Sequence, residues 1–263
     1  MSAAIIIPAR FGSTRFPGKP LTRLSLKDGS SKSLIELSWE AASKVKEVDR
    51  VYIATDHLDI KNAAEKFGAQ VIMTSVDCEN GTSRCAEAVK LAGIQEDLIV
   101  NFQGDAPLTP HHFVSSLVNE MKANNAIKVA TPILQCSHQH YQQLLNDRQN
   151  NRVGATTVVF DKNSDALYFS KEVLPFVKKE DIKHLKALPV YHHVGVYVYR
   201  SDILSQYKNW KETTLEKMEG LEQLRFLRNN VKIRCKLMKS KKSNFWELNN
   251  PSDKKLIEEI LRS

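Results

Sequence analysis

Short apolar runs and helical patterns alternate regularly in the first half of the chain, and this alternation restricts the folds that the chain can adopt. The apolar runs, which predict strands, lie at residues 3–8, 50–55, 70–73, 98–102 and 129–132. The helical patterns between them lie at residues 34–45, 59–67, 84–91 and 110–124. Strand and helix in strict alternation predict an α/β fold, with a mainly parallel sheet flanked by helices. Ligands of such sheets bind at the carboxyl ends of the strands, so the loops after Pro8, Thr55, Met73 and Phe102 are predicted to line one site.

The second half of the chain has a different pattern. Strands are predicted at residues 154–161, 167–169, 190–199 and 231–237, and helices at 215–228 and 251–261. Residues 137–152, rich in Gln, Asn and His, are predicted to form a surface connection. We therefore expect a single domain over residues 1–263, in which residues 154–230 approximately form a smaller mixed α+β region.

Charge and cysteine content narrow the function classes. The net charge of +8 indicates either a solvated basic surface or attraction of anionic substrates. No basic stripe interleaved with aromatic residues is present, so nucleic acid is not an expected partner. The four cysteines form no CxxC pair and are interpreted as reduced thiols of a cytoplasmic protein. No apolar stretch approaches the roughly 20 residues of a membrane span, so direct membrane insertion is not expected.

A loop rich in glycine and cations follows the first predicted strand. Residues 8–20 read PARFGSTRFPGKP. Gly12 and Gly18 permit tight turns and close approach of the backbone to a ligand. The loop also carries cations, which neutralise the negative charge of a triphosphate, and hydroxyl groups, which orient it. These residues are Arg10, Ser13, Thr14, Arg15 and Lys19. The loop is therefore predicted to bind phosphates, the alternative being an ordinary Gly/Pro loop with surface cations.

The same loop does not match the Walker pattern of P-loop ATPases. That pattern places four residues between its first glycine and Gly-Lys, and then requires Ser or Thr for magnesium. Here five residues separate Gly12 from Gly18, and Pro20 follows Lys19. Proline has no hydroxyl group, so an ATPase or GTPase of this class is disfavoured.

Six further segments carry a resemblance to a known family. They read ATDH at 54–57, NGTSR at 80–84, NFQGDAP at 101–107, ALYFS at 166–170, HVGVY at 193–197 and LEQLR at 221–225. Together with the loop they resemble, in the same order, the motifs of the 3-deoxy-manno-octulosonate cytidylyltransferases (CMP-KDO synthetases). The resemblance implies a Rossmann-like nucleotidyltransferase sheet and transfer of CMP from CTP to 3-deoxy-octulosonate (KDO). The first loop differs from that of the related sialic acid synthetases, which favours a KDO-type substrate.

The resemblance also implies roles for individual residues. The implied nucleotide-binding residues are Ala9, Arg10, Gly12, Ser13, Thr14, Arg15, Lys19, Thr74, Arg84 and Gln103. The implied sugar-binding residues are Tyr168, Ser170, Lys171, His193, Glu219 and Gln223. Taken alone, His193 is more typical of a satisfied histidine in a core strand, and Glu219 with Gln223 of an exposed i, i+4 pair. Lys171 stands where the family has Arg, and it lacks the bidentate fork that suits a carboxylate.

Asp105 is the candidate ligand for Mg²⁺, the cofactor that the resemblance implies. It follows a predicted strand, where a carboxylate can hold the ion against substrate phosphates, although such an Asp is equally typical of a cap. The family's second metal-binding Asp is matched by Asn249, which offers an amide oxygen without charge. Arg10, Lys19 and Asp105 are the candidate catalytic residues.

These departures from the family motifs, together with Ala106 in place of Glu, leave two alternatives open. One is a cytidylyltransferase for 8-amino-KDO or a nonulosonate, and the other is a nucleotide-binding homologue with weak activity. The resemblance further implies a homodimer formed through the smaller region, and a product used for lipopolysaccharide or capsule.

Overall fold

The computed structural model describes residues 1–12, 16–152, 155–239 and 253–262. The strands are β1 (Ala3–Ala9), β2 (Arg23–Ser25), β3 (Ser31–Ser33), β4 (Arg50–Thr55), β5 (Gln70–Met73), β6 (Leu98–Phe102), β7 (Val129–Gln135), β8 (Thr157–Phe160), β9 (Ala166–Ser170), β10 (Tyr191–His193), β11 (Val196–Arg200) and β12 (Ile233–Leu237). The helices are α1 (Leu34–Ser43), α2 (Leu58–Lys66), α3 (Gly81–Ala92), α4 (His111–Ala123), α5 (His138–Gln149), α6 (Lys179–Ile182), α7 (Ser201–Tyr207), α8 (Thr214–Glu219), α9 (Leu224–Arg228) and α10 (Asp253–Arg262).

The chain divides into two compact units. The first contains Met1–Ala123, Val196–Lys208 and the C-terminal helix α10, and the second contains residues 124–195 and 209–239. In the first unit the sheet order is β5-β4-β1-β6-β11. All neighbours are parallel except β11, which runs antiparallel to β6. The predicted mainly parallel, Rossmann-like sheet is confirmed.

Local sequence explains why the first unit forms these elements. β1 and β6 are almost wholly apolar and buried, as expected for central strands of a parallel sheet. Helix α1 begins with a capping box in which Ser33 and Glu36 satisfy each other's backbone N–H groups. Helix α3 begins with a similar reciprocal pair, Asn80 and Ser83. These caps fix where each helix starts, and therefore where the preceding loop ends.

The strand order of the first unit creates a site for a ligand. From β1 the chain proceeds outward through β4 and β5, and then returns so that β6 lies on the other side of β1. Ligands of open α/β sheets bind where the strand order reverses in this way, beyond the carboxyl ends of the strands. The turns after β1 and β6 therefore meet at the expected place.

The second unit is the mixed α+β part of the fold. Its strand order is β12-β7-β10-β8-β9, in which β7 and β12 are parallel and the other neighbours are antiparallel. Helices α5, α6, α8 and α9 belong to it. The mixed α+β character predicted for part of the fold is present in this unit. The bounds 154–230 given to that part, and its sugar-binding and dimerisation roles, stay predictions.

Three predictions about the second half are corrected. Residues 137–152 were expected to be a surface connection, but most of them form helix α5, because Ser137 Oγ accepts the His140 N–H at 3.1 Å and Tyr141 and Leu144 are buried. The predicted strand 190–199 is divided into β10 and β11. The predicted helix 215–228 is divided into α8 and α9, because Gly220 adopts a left-handed conformation with φ of 59°.

Within the described ranges, none of the helices combines the length and the apolar character that a membrane span needs.

Candidate active site

The turn after β1 holds the first group of predicted nucleotide-binding residues. Ala9 is the buried last residue of β1, and the exposed Arg10 and Gly12 follow it. The turn closes on itself where Gly18 N–H donates to the Phe11 carbonyl oxygen at 3.1 Å. Gly18 has φ of 67°, a left-handed conformation that favours glycine. The predicted residues Ser13, Thr14 and Arg15 lie outside the described residues.

The turn after β6 brings Asp105 to the same edge of the sheet. Lys19 begins a short 3₁₀ turn, and its Nζ lies 2.5 Å from Asp105 Oδ2. The turn after β6 packs closely against β1 because residue 104 is glycine. A Cβ at Gly104 would lie 2.9 Å from the Pro8 carbonyl oxygen. The Gly104 carbonyl oxygen in turn accepts a hydrogen bond from Ser38 Oγ at 2.9 Å. Two of the three predicted catalytic residues are thus in direct contact.

A buried ion pair lies beside the turn that follows β4. Arg84, on helix α3, has a side chain only 3% exposed, and its Nη2 donates to Asp56 Oδ2 at 2.8 Å. Its Nη1 donates to Thr74 Oγ1 at 2.6 Å. The predicted residues Thr74 and Arg84 are therefore in contact with each other. Gln103 lies just beyond β6, where its Nε2 donates to Asn101 Oδ1 at 3.3 Å.

A pocket of about 230 Å³ opens between the turns that follow β1, β4 and β5. It is lined by Arg10, Phe11, Gly12, Asp56, His57, Val76, Cys78 and Arg84. The rings of Phe11 and His57 stack on one side, with centroids 3.9 Å apart and planes 15° from parallel. Phe11, Asp56 and His57 were not predicted as site residues from the sequence. The position of Asp56 directly after β4, at the carboxyl end of a parallel strand, is the signal that could have found it.

The predicted sugar-binding residues lie in the second unit, and four of them form one hydrogen-bonded cluster. Glu219 Oε1 accepts from Ser170 Oγ at 2.6 Å and from Tyr168 O–H at 3.4 Å. Glu219 Oε2 accepts from the Lys171 backbone N–H at 2.9 Å. Burial, and then the charge of Glu219, raise the pKa of Tyr168. The Glu219 carboxylate thus fixes the end of β9.

His193 and Gln223 are both buried, and they differ in how their polar atoms are satisfied. His193 Nε2 donates to Thr131 Oγ1 at 3.0 Å, since the Thr131 hydroxyl proton is given to the Val194 carbonyl oxygen. Burial, and then the neighbouring His192, lower the pKa of His193 to about 3, so its ring is neutral at pH 7. Gln223 is 2% exposed, and its Nε2 has no hydrogen-bond partner among the residues that the structure describes.

The residues present fit a magnesium ion that takes most of its ligands from water and substrate. Across the described part of the chain, no three His, Cys, Asp or Glu side chains form a group that could hold a metal by themselves. Magnesium is usually bound by one or two carboxylates together with substrate phosphates, and Asp105 lies beside the predicted phosphate loop. Asn249, the other predicted ligand, lies outside the described residues.

Comparison with known proteins decides the family. The family model described as cytidylyltransferase matches residues 4–233. The chain belongs to the cytidylyltransferase family. A 3-deoxy-manno-octulosonate cytidylyltransferase of Maricaulis maris is 39% identical to this cytidylyltransferase over 99% of the chain and 97% of the relative. An 8-amino-3,8-dideoxy-manno-octulosonate cytidylyltransferase of Shewanella pealeana is 34% identical over 98% of both chains.

A solved structure supports the same conclusion. A CMP:2-keto-3-deoxy-manno-octonic acid synthetase complexed with CTP matches this cytidylyltransferase with a TM-score of 0.83 and 30% identity, over 99% of this chain and 98% of that one. The resemblance inferred from the sequence motifs is therefore confirmed, as are the nucleotidyltransferase class and the fold.

Proposed function

We propose that this cytidylyltransferase transfers CMP from CTP to the anomeric hydroxyl group of KDO and releases pyrophosphate. The hydroxyl oxygen attacks the α-phosphorus in line, the bond from that phosphorus to the bridging oxygen of the β-phosphate breaks, and the hydroxyl proton passes to solvent. Such a reaction depends on positioning and charge neutralisation, and it needs no protein nucleophile.

The turn after β1 is assigned to the triphosphate. Arg10 and Lys19 supply positive charge to the β- and γ-phosphates and to the leaving pyrophosphate, where charge accumulates during the reaction. Arg15, Ser13 and Thr14 are proposed to act with them. The observation that carries the proposal is the contact between Lys19 and Asp105 at the point where the strand order reverses. This contact places a phosphate-binding cation and a carboxylate at one edge of the sheet.

Cytosine recognition is assigned to Ala9, Thr74, Arg84 and Gln103. Backbone carbonyl groups and fixed side-chain donors can distinguish the exocyclic amine and the ring nitrogen of cytosine from uracil. Arg84 is suited to this task because Asp56 and Thr74 hold its guanidinium in one orientation. A fixed donor loses little conformational entropy when the base binds.

Sugar recognition is assigned to the second unit. Gln223 Nε2, buried and without a partner among the described residues, can donate to a sugar hydroxyl or carboxylate oxygen, and leaving such a group unpaired is costly. Lys171 supplies a positive charge for the sugar carboxylate, and Glu219 fixes the backbone from which Lys171 extends. His193 is the proposed neutral hydrogen-bonding group, and Tyr168 and Ser170 complete the set.

Magnesium is the proposed cofactor, held by Asp105 with the amide oxygen of Asn249. When bound, the ion neutralises phosphate charge and lowers the pKa of a coordinated hydroxyl group. Lys19 must then give up its contact with Asp105, which frees its ammonium group for the phosphates. A homodimer formed through residues 154–230 and a cytoplasmic location stay predictions.

A pyrophosphate-release assay tests the proposal. KDO with CTP and Mg²⁺ is expected to release pyrophosphate, whereas ATP, GTP or UTP in place of CTP is not. Lys19→Ala and Asp105→Ala are expected to lose activity sharply, while Lys217→Ala and Glu212→Ala, which alter an exposed ion pair of the second unit, are expected to retain it. CTP binding without pyrophosphate release at any magnesium concentration would instead identify a nucleotide-binding homologue.

8-Amino-KDO is the second candidate substrate. The relative from Shewanella pealeana carries that name, and Lys171 in place of the family's Arg changes the predicted carboxylate contact. Parallel assays with KDO, 8-amino-KDO and a nonulosonate, compared by kcat/KM with CTP held constant, distinguish the substrates. We expect the highest value for KDO.

A further inference from the structure

Asp56 joins two parts of the nucleotide site that are distant in sequence. Its side chain is 11% exposed, and each of its carboxylate oxygens has a different partner. Oδ2 accepts from Arg84 Nη2 at 2.8 Å, and Oδ1 accepts from the Phe11 backbone N–H at 3.2 Å. One carboxylate therefore links helix α3 to the turn after β1.

Phe11 is the neck of the phosphate loop, the residue at which the two ends of that loop meet. Its carbonyl oxygen accepts the N–H of Gly18, and its ring lies 3.6 Å from where a Cβ of Gly18 would be. The Phe11 ring also stacks on the His57 ring, with the ring centroids 3.9 Å apart. Residues Asp56 and His57 thus contact the neck through both its backbone and its ring.

Arg84 depends on the same carboxylate. Its side chain is almost completely buried, and its other contacts, to Thr74 Oγ1 and the Ser75 carbonyl oxygen, are with neutral groups. A buried guanidinium without a carboxylate partner is strongly unfavourable, so loss of the Asp56 charge would displace the arginine or draw in solvent. Either change would alter the donor that faces the pocket.

We propose that Asp56 is a positioning residue for CTP, which holds Arg84 and the neck of the phosphate loop in one fixed arrangement. The proposal rests on the function assigned above, because it takes Arg84 and the loop as parts of the CTP site. Asp56 acts through these two partners and not by contact with the nucleotide. The negative charge of Asp56 stabilises the Arg84 guanidinium, and its Oδ1 accepts the hydrogen bond from the Phe11 backbone N–H.

One substitution of Asp56 and one control variant test the proposal. Asp56→Asn keeps an oxygen for the Phe11 N–H but removes the charge that faces Arg84. Asp49→Asn is the matched control, since Asp49 accepts the Ala3 N–H at 2.9 Å at the other end of the same strand, β1. Calorimetry with CTP measures affinity directly, and steady-state kinetics measures KM for CTP and for KDO separately.

Asp56→Asn is expected to weaken CTP binding roughly tenfold to hundredfold, the range for a lost hydrogen bond to a charged group. KM for CTP should rise accordingly while KM for KDO stays unchanged, and Asp49→Asn should change neither. A purely structural defect would lower the active fraction and kcat without this selective rise in KM. Equal CTP affinity in Asp56→Asn and the wild type would overturn the proposal.

A double variant keeps the proposal testable if Asp56→Asn alone fails to fold. Asp56→Asn combined with Arg84→Gln leaves no unpaired buried charge, and it is expected to bind CTP as tightly as Arg84→Gln alone. Additive losses would show that Asp56 contacts CTP directly, and would contradict the positioning role. Because CTP calorimetry requires no turnover, absence of activity with KDO would refute the proposed reaction and leave the test of Asp56 intact.

Discussion

Lys19 Nζ lies 2.5 Å from Asp105 Oδ2, although 86 residues separate the two in sequence. The contact exists because the turns after β1 and β6 meet where the strand order reverses. Both side chains are largely shielded from solvent, with 18% and 24% exposure, so the attraction between them is stronger than that of a surface pair. The cation proposed for phosphate and the carboxylate proposed for metal therefore neutralise each other when neither ligand is bound.

This contact predicts that Lys19 competes with a divalent ion for Asp105. Lys19→Met should bind Mn²⁺ about tenfold more tightly than the wild type in the absence of CTP, because the ion no longer displaces an ammonium group. Titration followed by electron paramagnetic resonance of free Mn²⁺ measures this. Lys61→Met, at an exposed position, is the control and should leave the affinity unchanged. An unchanged affinity in Lys19→Met would show that Asp105 is not the metal ligand or that Lys19 does not compete.

A buried ion pair should be essential to the stability of the second unit. Arg225 and Glu216 are each 4% exposed and form two hydrogen bonds, of 2.6 Å and 2.8 Å. Arg225→Met removes the guanidinium group from the buried Glu216 carboxylate, which should lower the free energy of unfolding by about 3–5 kcal/mol. Urea denaturation gives this value.

The matched control for that measurement is Lys217→Met. Lys217 pairs with Glu212 at 3.1 Å, but both side chains are exposed. Exposed pairs contribute at most about 1 kcal/mol, so this variant should unfold close to the wild-type midpoint. Similar losses of unfolding free energy in both variants would contradict the conclusion that burial determines how much an ion pair contributes to stability.

Acidification should destabilise the fold through His193. Burial and the nearby His192 lower the pKa of His193 to about 3 in the folded protein, whereas an unfolded histidine titrates near 6.5. The unfolded state therefore binds more protons between these values, and stability present above about pH 6.5 falls as the pH decreases. The slope for one such histidine approaches about 1.4 kcal/mol per pH unit.

Urea denaturation between pH 7 and pH 5.5 measures this slope before most carboxylates titrate. His193→Gln should reduce the slope, because a glutamine amide can donate to Thr131 but does not titrate. The slope that remains comes from the neighbouring His192, whose pKa burial also lowers to about 3. His184→Gln alters an exposed histidine and should retain the wild-type slope. An unchanged slope in His193→Gln would rule out this residue as the source.

Gln223 should affect sugar binding but not stability. Gln223→Met replaces an amide whose buried Nε2 has no partner among the described residues, so the substitution should leave the free energy of unfolding unchanged or raise it slightly. Loss of the proposed donor should raise KM for KDO about tenfold and leave KM for CTP unchanged. Steady-state kinetics with each substrate varied in turn gives both constants. A lowered stability with unchanged KM for KDO would indicate a structural role only.

Much of the first unit could be predicted because its signals are local. Apolar runs, helical spacing and the glycines of the loop are properties of neighbouring residues, and they correctly indicated β1, β4, β5 and β6. The same signals failed for helix α5, where polar residues on the exposed face outnumber the buried Tyr141 and Leu144. They also failed at Gly220, which ends a helix that the periodicity alone would continue.

The alternating fold, the loop of cations after the first strand and, through its motifs, the family could all be predicted from the order of residues. The partners that side chains share are known only from the folded chain: Lys19 with Asp105, Asp56 with Arg84 and Phe11, and Glu219 with Ser170. The reason is physical. A motif specifies the residue types at a turn, whereas hydrogen bonds and ion pairs depend on the order in which the strands assemble, and that order brings residues from distant parts of the chain within a few ångströms.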